Sequence, residues 1–387
     1  MSDASLPRAM RAPLSVKLAS NTFLVFWLVL AAFPLLWVLA MSFKSPVDAF
    51  SSNAWEVIRG PRTLADGNGM STVDIVLFIA LAWLSIKAAT RWLMPMAAGE
   101  GTGQRIFSWA VIAVGFAVLF LLGLFFVLPW LAGPLEDWLG PLGRPVLGLT
   151  TQHYEAVWIE NEFYRNFRNS LIVTFGVVTV SLTVGTLAGY GLARSGSTLA
   201  FWILIIALIF RALPHSVLVA GYLPVFINSA ELLEPILGPD APTLYGQPLA
   251  VIAVLVSINQ PFTIWMLRSF FQNIPVDLDE SARVDGCTHF QAFRWVIMPV
   301  MWPGVITTGL FSFLLAYNDF LVTSLLLDAS NQTMVPAIAG YFNRETTTTD
   351  QVEAIAAAVS ITAPLFLLVM IFQRQIVSGL TAGAVKG

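Results

Sequence analysis

The chain has 387 residues, 57% of them hydrophobic and only 11% charged, with a mean hydropathy of +0.76. Soluble domains carry about 25% charged residues, so most of this chain is solvated by lipid or by its own helices. A net charge of −3 with no Lys/Arg run argues against nucleic acid as a partner, the lone Cys287 excludes an intramolecular disulfide, and His153, His215 and His289 lack metal-ligand spacing.

Arg8, Arg11 and Lys17 precede the first apolar stretch, 21–43, which is long enough to cross a bilayer and reads as an anchor rather than a cleavable signal. Stretches of similar length recur at 73–92, 106–130, 170–192, 199–221, 249–270, 303–327 and 354–372. They predict an all-α integral membrane protein with about eight transmembrane helices. The second and third are the weakest. Lys87 and Arg91 close the second, Gly99, Gly101 and Gly103 mark a short loop before the third, and interfacial helices are the alternative there. The segments 45–72 and 131–168 are rich in Pro, Gly, Trp and charge, which suits ordered loops rather than a separate domain. With the N-terminus inside, twelve of the 20 Lys and Arg fall on the cytoplasmic side and seven outside, leaving Arg211 within a span. Both termini and the polar segment 280–299 are then cytoplasmic.

That polar segment carries the most information. Pro275 prevents the sixth span from continuing, and Asp277 with Glu280 three residues later has the spacing of a capping box. A short helix over 278–285 would present Glu280 and Arg283 on one outward face. Gly286 can take a positive φ and end it after Asp285. A second short helix over 288–296 would run to Pro299, which redirects the chain into the next span.

The order Glu280-Ser281-Ala282, three residues, Gly286, nine residues, Val296-Ile297-Met298-Pro299 resembles the signature loop of ATP-binding-cassette importer permeases. In that family the loop reads Glu-Ala-Ala, three residues, Gly, nine residues, Ile-x-Leu-Pro. Here Ser281, Val296 and Met298 depart from it. Further motifs are similar to the maltose-type carbohydrate branch, in the subunit that lacks a large outer insertion. They are Arg168-Asn169-Ser170-Leu171, Gly189-Tyr190-Gly191-Leu192-Ala193-Arg194, Tyr317-Asn318-Asp319-Phe320 and the tail 379–387. The likeness covers 168–387, the first helix and its Ser42-Phe43-Lys44 exit.

The resemblance implies a permease for a sugar (a mono-, di- or oligosaccharide, or a polyol) in a bacterial cytoplasmic membrane. Its partners would be a second related permease completing a heterodimer, two ATPase subunits that hold ATP and Mg, and an extracytoplasmic solute-binding protein. This chain itself would bind no cofactor. The six-helix core would comprise the first span, in 1–44, and five helices in the permease core 169–387, with two extra helices in 45–168. ATPase coupling would fall to the loop 275–302, through Glu280, Ser281, Ala282, Arg283, Asp285, Gly286 and Pro299. Lys386 and Gly387 of the tail 375–387 would form a second contact. The outer loop 341–351, with Thr346 to Thr349, reaches the binding protein in some relatives.

Within the spans, Arg211 is the costliest residue. It lies 12 residues after Leu199, about 18 Å along a helix, where a charge costs at least roughly 2.5–3.5 kcal/mol. It either lines the translocation route or pairs across the subunit interface, or else snorkels or pairs internally, with Asp319 as a candidate partner. Pro214 and His215 break the same helix. Asn259-Gln260-Pro261 places polar groups and a helix break within the sixth span, and Asn318-Asp319 does so in the seventh. With Trp265, Phe311 and Tyr317 they are pathway candidates, but polar residues also bond membrane helices together, and that second reading is preferred.

Two other classes leave less trace. A secondary transporter calls for inverted repeats and intramembrane acids, of which only Asp319 is present near a span end. An intramembrane zinc enzyme calls for His-Glu-x-x-His, which is absent. None of Lys17, Lys44, Lys87 and Lys386 follows a glycine, so no Gly-Lys-Ser/Thr phosphate loop exists and no catalytic residue is expected. A non-carbohydrate solute such as glycerol phosphate remains an alternative.

Overall fold

A computed structural model describes residues 13–88, 91, 115–116, 118–343 and 347–384. Among them, five helices are long and apolar enough to cross a membrane, and a bent pair makes a sixth. The chain is an all-α polytopic membrane protein.

Helix α1 (Leu14–Met41) begins behind Pro13 and packs along the last helix, leaving most of its apolar surface outward. A small two-stranded antiparallel sheet, β1 (Met70–Ser71) with β2 (Pro145–Leu147), ties together the segments on either side of α2 (Thr72–Ala88) and α3 (Leu128–Leu139). The bundle proper consists of α4 (Phe163–Ser195), α5 (Thr198–Arg211), α6 (His215–Ile227) and α7 (Pro248–Gln272), then α8 (Asp277–Val284), α9 (His289–Tyr317) and α10 (Thr348–Ala384). Helices α4, α7 and α9 pack on one another at its centre.

Lipid offers no hydrophobic drive between helices, so their contact relies on close fit. In α4, Gly185 and Gly189 supply it. A Cβ at 185 would stand 2.5 Å from Thr263 Cγ2, and one at 189 would stand 3.1 Å from the Arg268 backbone nitrogen. The Gly-x-x-x-Gly spacing of Gly185 and Gly189 is a sequence signal for this close packing that the motifs above did not include. A buried cluster of Leu267, Phe271, Ile274, Phe293, Ile297 and Met301 fills the end of the bundle that carries α8. A second, around Val173, Val177, Val254, Leu255, Val322 and Leu326, fills the other half.

The structure departs from the expected stretches in two places. The stretch 199–221 is not one helix: α5 stops at Arg211, and the axes of Thr198–Arg211 and Ser216–Ile227 differ by 97°. Pro214 caps α6 and cannot continue α5. Pro261, expected to break the sixth span, lies inside an uninterrupted α7, because α4 and α9 hold the helix on both sides of the lost backbone bond. Of the second stretch, the described residues form α2 as far as Ala88, and 89, 90 and 92 lie outside the described residues. Much of the third, with Gly99, Gly101 and Gly103, lies outside the described residues.

Candidate functional site

The segment between α7 and α9 is built by strong local signals. Asn273 caps α7, with its N–H on the carbonyls of Phe270 and Phe271, and Pro275 follows. Helix α8 then starts at Asp277. The expected Asp277–Glu280 capping box does not form: Val276 occupies the cap position, and its side chain makes no capping bond. Asp277, Asp279 and Glu280 instead place negative charge at the positive end of the helix dipole.

The other end of α8 closes as a Schellman motif. The Gly286 N–H donates to the Arg283 carbonyl (3.0 Å) and the Cys287 N–H to the Ala282 carbonyl (3.0 Å). Gly286 sits at φ 90°, where an L side chain is strained. The true capping box comes next. The Gln291 N–H donates to Thr288 Oγ1 at 3.3 Å, and the Thr288 N–H to Gln291 Oε1 at 2.8 Å.

From there the chain does not turn at Pro299. The turn His289–Ala292, a π-type turn Phe293–Ile297 and Met298–Tyr317 form one continuous helix, with Pro299 at the first or second position of the last part. A proline there lacks only a bond that the wider π turn has already displaced.

On α8, Ala282 and Asp279 face inward, while Glu280, Ser281, Arg283 and Asp285 are exposed, as is Gly286. Asp279 went unremarked in the sequence, yet it is the polar centre of the site. The Tyr190 hydroxyl donates to its Oδ1 at 2.6 Å and Arg194 Nε to its Oδ2 at 2.8 Å. A second nitrogen of the same guanidinium donates to the Ile274 carbonyl at 3.2 Å. The signal was present: Tyr190 and Arg194 lie four apart on one face of a helix. Tyr190 also packs on Phe293 and Phe271, with centroids 4.8 and 5.4 Å apart. An open cleft of about 300 Å³ lies beside Asp279, between Arg194, Arg283 and His289.

The candidate pathway residues separate by what they bond. Asn259 is buried and donates to Ser312 Oγ at 2.7 Å, joining α7 to α9. Gln260 donates to the Ser181 carbonyl at 3.4 Å, joining α7 to α4. The Tyr317 hydroxyl donates to the Ile361 carbonyl at 2.8 Å, joining α9 to α10. Asn318 bonds back to its own helix at Leu314 O, and Asp319 Oδ1 accepts from the Thr323 N–H at 2.9 Å.

Arg211 is different. The pairing with Asp319 weighed from sequence is not formed. Instead the guanidinium carbon lies 4.8 Å from the Phe262 ring centroid, and Nε has no hydrogen-bond partner among the described residues. Phe262 in turn touches Trp265 and Phe311, and the Trp265 side chain is exposed. Arg268 of α7 returns the contact onto Phe201 of α5 at 5.0 Å.

Lys386 and Gly387 lie outside the described residues, as do Arg8, Arg11, Arg105, Arg344 and Thr346. Among the described residues, no group of three or more His, Cys, Asp or Glu is placed to hold a metal ion.

A family model described as "Binding-protein-dependent transport system inner membrane component" matches residues 181–381. The chain is similar to the diacetylchitobiose uptake system permease protein DasC of Streptomyces coelicolor, 32% identical over 279 residues, or 70% of this chain and 95% of that protein. It is similar to the trehalose transport system permease protein SugB of Mycobacterium tuberculosis, 30% identical over 292 residues, or 73% of this chain and 99% of that protein. One similar solved structure is a bacterial ABC transporter involved in the import of the acidic polysaccharide alginate. The TM-score is 0.47 at 16% identity, covering 71% of this chain and 98% of that one. Both curated relatives are thus matched over almost their whole length, while more than a quarter of this chain has no counterpart in them.

Proposed function

Because the chain belongs to the family of binding-protein-dependent transport system inner membrane components, it is a multi-pass permease subunit of an importer, and we propose that the solute it moves is a sugar. The observation that carries the sugar reading is the match, along nearly their full length, to permeases for diacetylchitobiose and trehalose. A secondary transporter is not favoured by these relatives.

In this reading the chain pairs with a second permease, and two ATPase subunits bind and hydrolyse ATP with Mg. An extracytoplasmic protein delivers the solute. Both termini and α8 face the cytoplasm of a bacterial inner membrane. The exposed face of α8, with Glu280, Ser281, Arg283 and Asp285, meets an ATPase, while Ala282, Gly286 and Pro299 shape the loop. The tail through Lys386 and Gly387 adds a second contact.

Helix α8 suits the task because it is rigid. Eight residues alone would not hold a helix in water. Here the glycine turn, the Thr288 capping box and the Phe271–Phe293 cluster hold it. A knob so fixed passes on a push that a loose loop would absorb.

For the pathway, Arg211 beside Phe262 and the exposed Trp265 is the candidate of choice, since aromatic faces suit sugar rings. Asn259, Gln260 and Tyr317 act as interhelical bonds, and Asn318 and Asp319 as local turn bonds.

Deleting this chain in its host and measuring uptake of labelled sugars, polyols and sugar acids or phosphates tests the proposal. Loss of one solute, restored by the wild type but not by Gly286→Asp, supports both the sugar and the coupling role. An unchanged panel refutes the sugar assignment.

A further inference from the structure

Helix α4 is joined to both ends of the bundle by side chains that packing does not require. At one end, Asp279 of α8 accepts from Tyr190 and Arg194 of α4. At the other, Asn166 donates to the Gln332 carbonyl at 2.9 Å, and Asn169 to the carbonyls of Gln332 and Ser330 at 3.3 and 3.4 Å. The Met334 N–H donates to Ser170 Oγ at 2.9 Å. Between these attachments runs one unbroken helix of 33 residues, about 50 Å long.

Helices α7 and α9 are covalently linked to α8 and must follow it. Helix α4 is not. It rests on α7 through the close contacts at Gly185 and Gly189 and one long hydrogen bond, Gln260 to the Ser181 carbonyl at 3.4 Å, a contact along which helices can slide by small steps. A charge-assisted bond with two further hydrogen bonds at its end resists sliding, because breaking it leaves a buried carboxylate unpaired.

We propose that Asp279 is the positioning residue through which movement of α8 enters α4, and that α4 carries this movement to the loop 328–334 at the far end of the bundle. The inference rests on the permease reading above. Under it, an ATPase-driven shift of α8 moves the loop 328–334 in step, instead of leaving α4 behind. Asp279 needs no contact with the ATPase for this, since it faces away from the exposed side of α8.

The test uses the complete transporter, purified with its partner permease and ATPase subunits and reconstituted with its binding protein. Uptake of the labelled sugar panel and ATP hydrolysis are measured together. Asp279→Asn is expected to keep the ATPase bound and active but to lower solute moved per ATP at least about tenfold. Asp279→Glu, which keeps the charge, recovers most of that ratio. Arg194→Gln gives the same loss, and the double variant loses no more than either single one, because both remove one interaction. Asn166→Ala with Asn169→Ala lowers the ratio without touching α8.

A wild-type ratio in Asp279→Asn overturns the inference. So does a fall in uptake that only tracks loss of assembled complex, or additive losses in the double variant. A wild-type ratio in the Asn166/Asn169 variant overturns transmission to the loop. If the wild-type complex takes up no sugar of the panel and hydrolyses no ATP, the permease reading fails first and the inference falls with it.

Discussion

The ammonium group of Lys44 donates to the main-chain oxygen of Gly148, 104 residues further along the chain. It also donates to the Ile58 carbonyl at 2.8 Å, and Lys44 is only 1% exposed. The Lys44 carbonyl accepts from His153 Nε2 at 2.9 Å. Nearby, Asp48 accepts from the N–H groups of Arg62 and Thr63 and from the Thr63 hydroxyl. Just beyond α1, these bonds hold together a segment that the sequence offered only as ordered loops.

Replacing Lys44 by Met keeps the length of the side chain and removes its donors. Two carbonyl oxygens then lose their partner, at about 1–3 kcal/mol each. The segment 45–66 is expected to become a protease target in the purified protein while the bundle stays folded. Cleavage no faster than in the wild type would refute this.

The same segment is expected to loosen in acid, in two stages. Burial pushes His153 below its ordinary value, and the hydrogen bond to Lys44 offsets this only in part. An unfolded histidine takes up its proton near 6.5, so stability is full above that pH and falls as the pH drops below it. Burial raises the Asp48 carboxyl, but the hydrogen bonds from Thr63, Arg62 and Ser45 outweigh it and hold it below its usual range. Its contribution is present above about 3.8 and is lost as the pH falls through the lower folded value. Lys44, lowered mainly by burial and raised in part by Asp48, gains only toward alkaline pH. Protease susceptibility of 45–66, followed from pH 8 downward, checks the sequence of events, and His153→Gln removes the first stage.

Gly286→Asp meets no atom within 4 Å of the new Cβ, so no steric clash adds to the backbone strain, although a charge is added on the exposed turn. A side chain at φ 90° costs about 1–3 kcal/mol, which re-angles the turn between α8 and the Thr288 cap. The variant is expected to reach the membrane in normal amount and to fail in transport. Normal uptake at normal abundance contradicts the coupling role of this turn.

Asn259→Leu separates the two readings of the polar residues in α7. The bond to Ser312 is worth about 0.6 kcal/mol as an average interhelical bond, and Ser312 keeps its own bond to the Thr308 carbonyl. Uptake close to wild type with a slightly lower melting temperature is the expected result. Loss of uptake in a stable protein would instead place Asn259 on the solute's path.

Much of this protein is dictated locally and is therefore legible in one dimension. Spans are read from apolar length, since no other backbone survives in lipid. Pro275, Gly286 and the Thr288–Gln291 pair shape the loop between α7 and α9 through bonds a few residues apart. The motif order around Glu280 was enough to point to an importer permease, the family in which the comparisons place it.

Other features depend on neighbours remote in sequence, and only the tertiary structure decided them. Whether Pro261 breaks α7 was settled by the helices packed around it, and whether Pro299 turns the chain by the π turn before it. The partner of Arg211 became an aromatic ring on α7 instead of Asp319, just beyond the end of α9. Lys44 and Asp279 are buried by bonds that reach across 104 and 85 residues. A local pattern carries no record of which distant carbonyl or guanidinium will meet it, because that is set by the packing of whole helices.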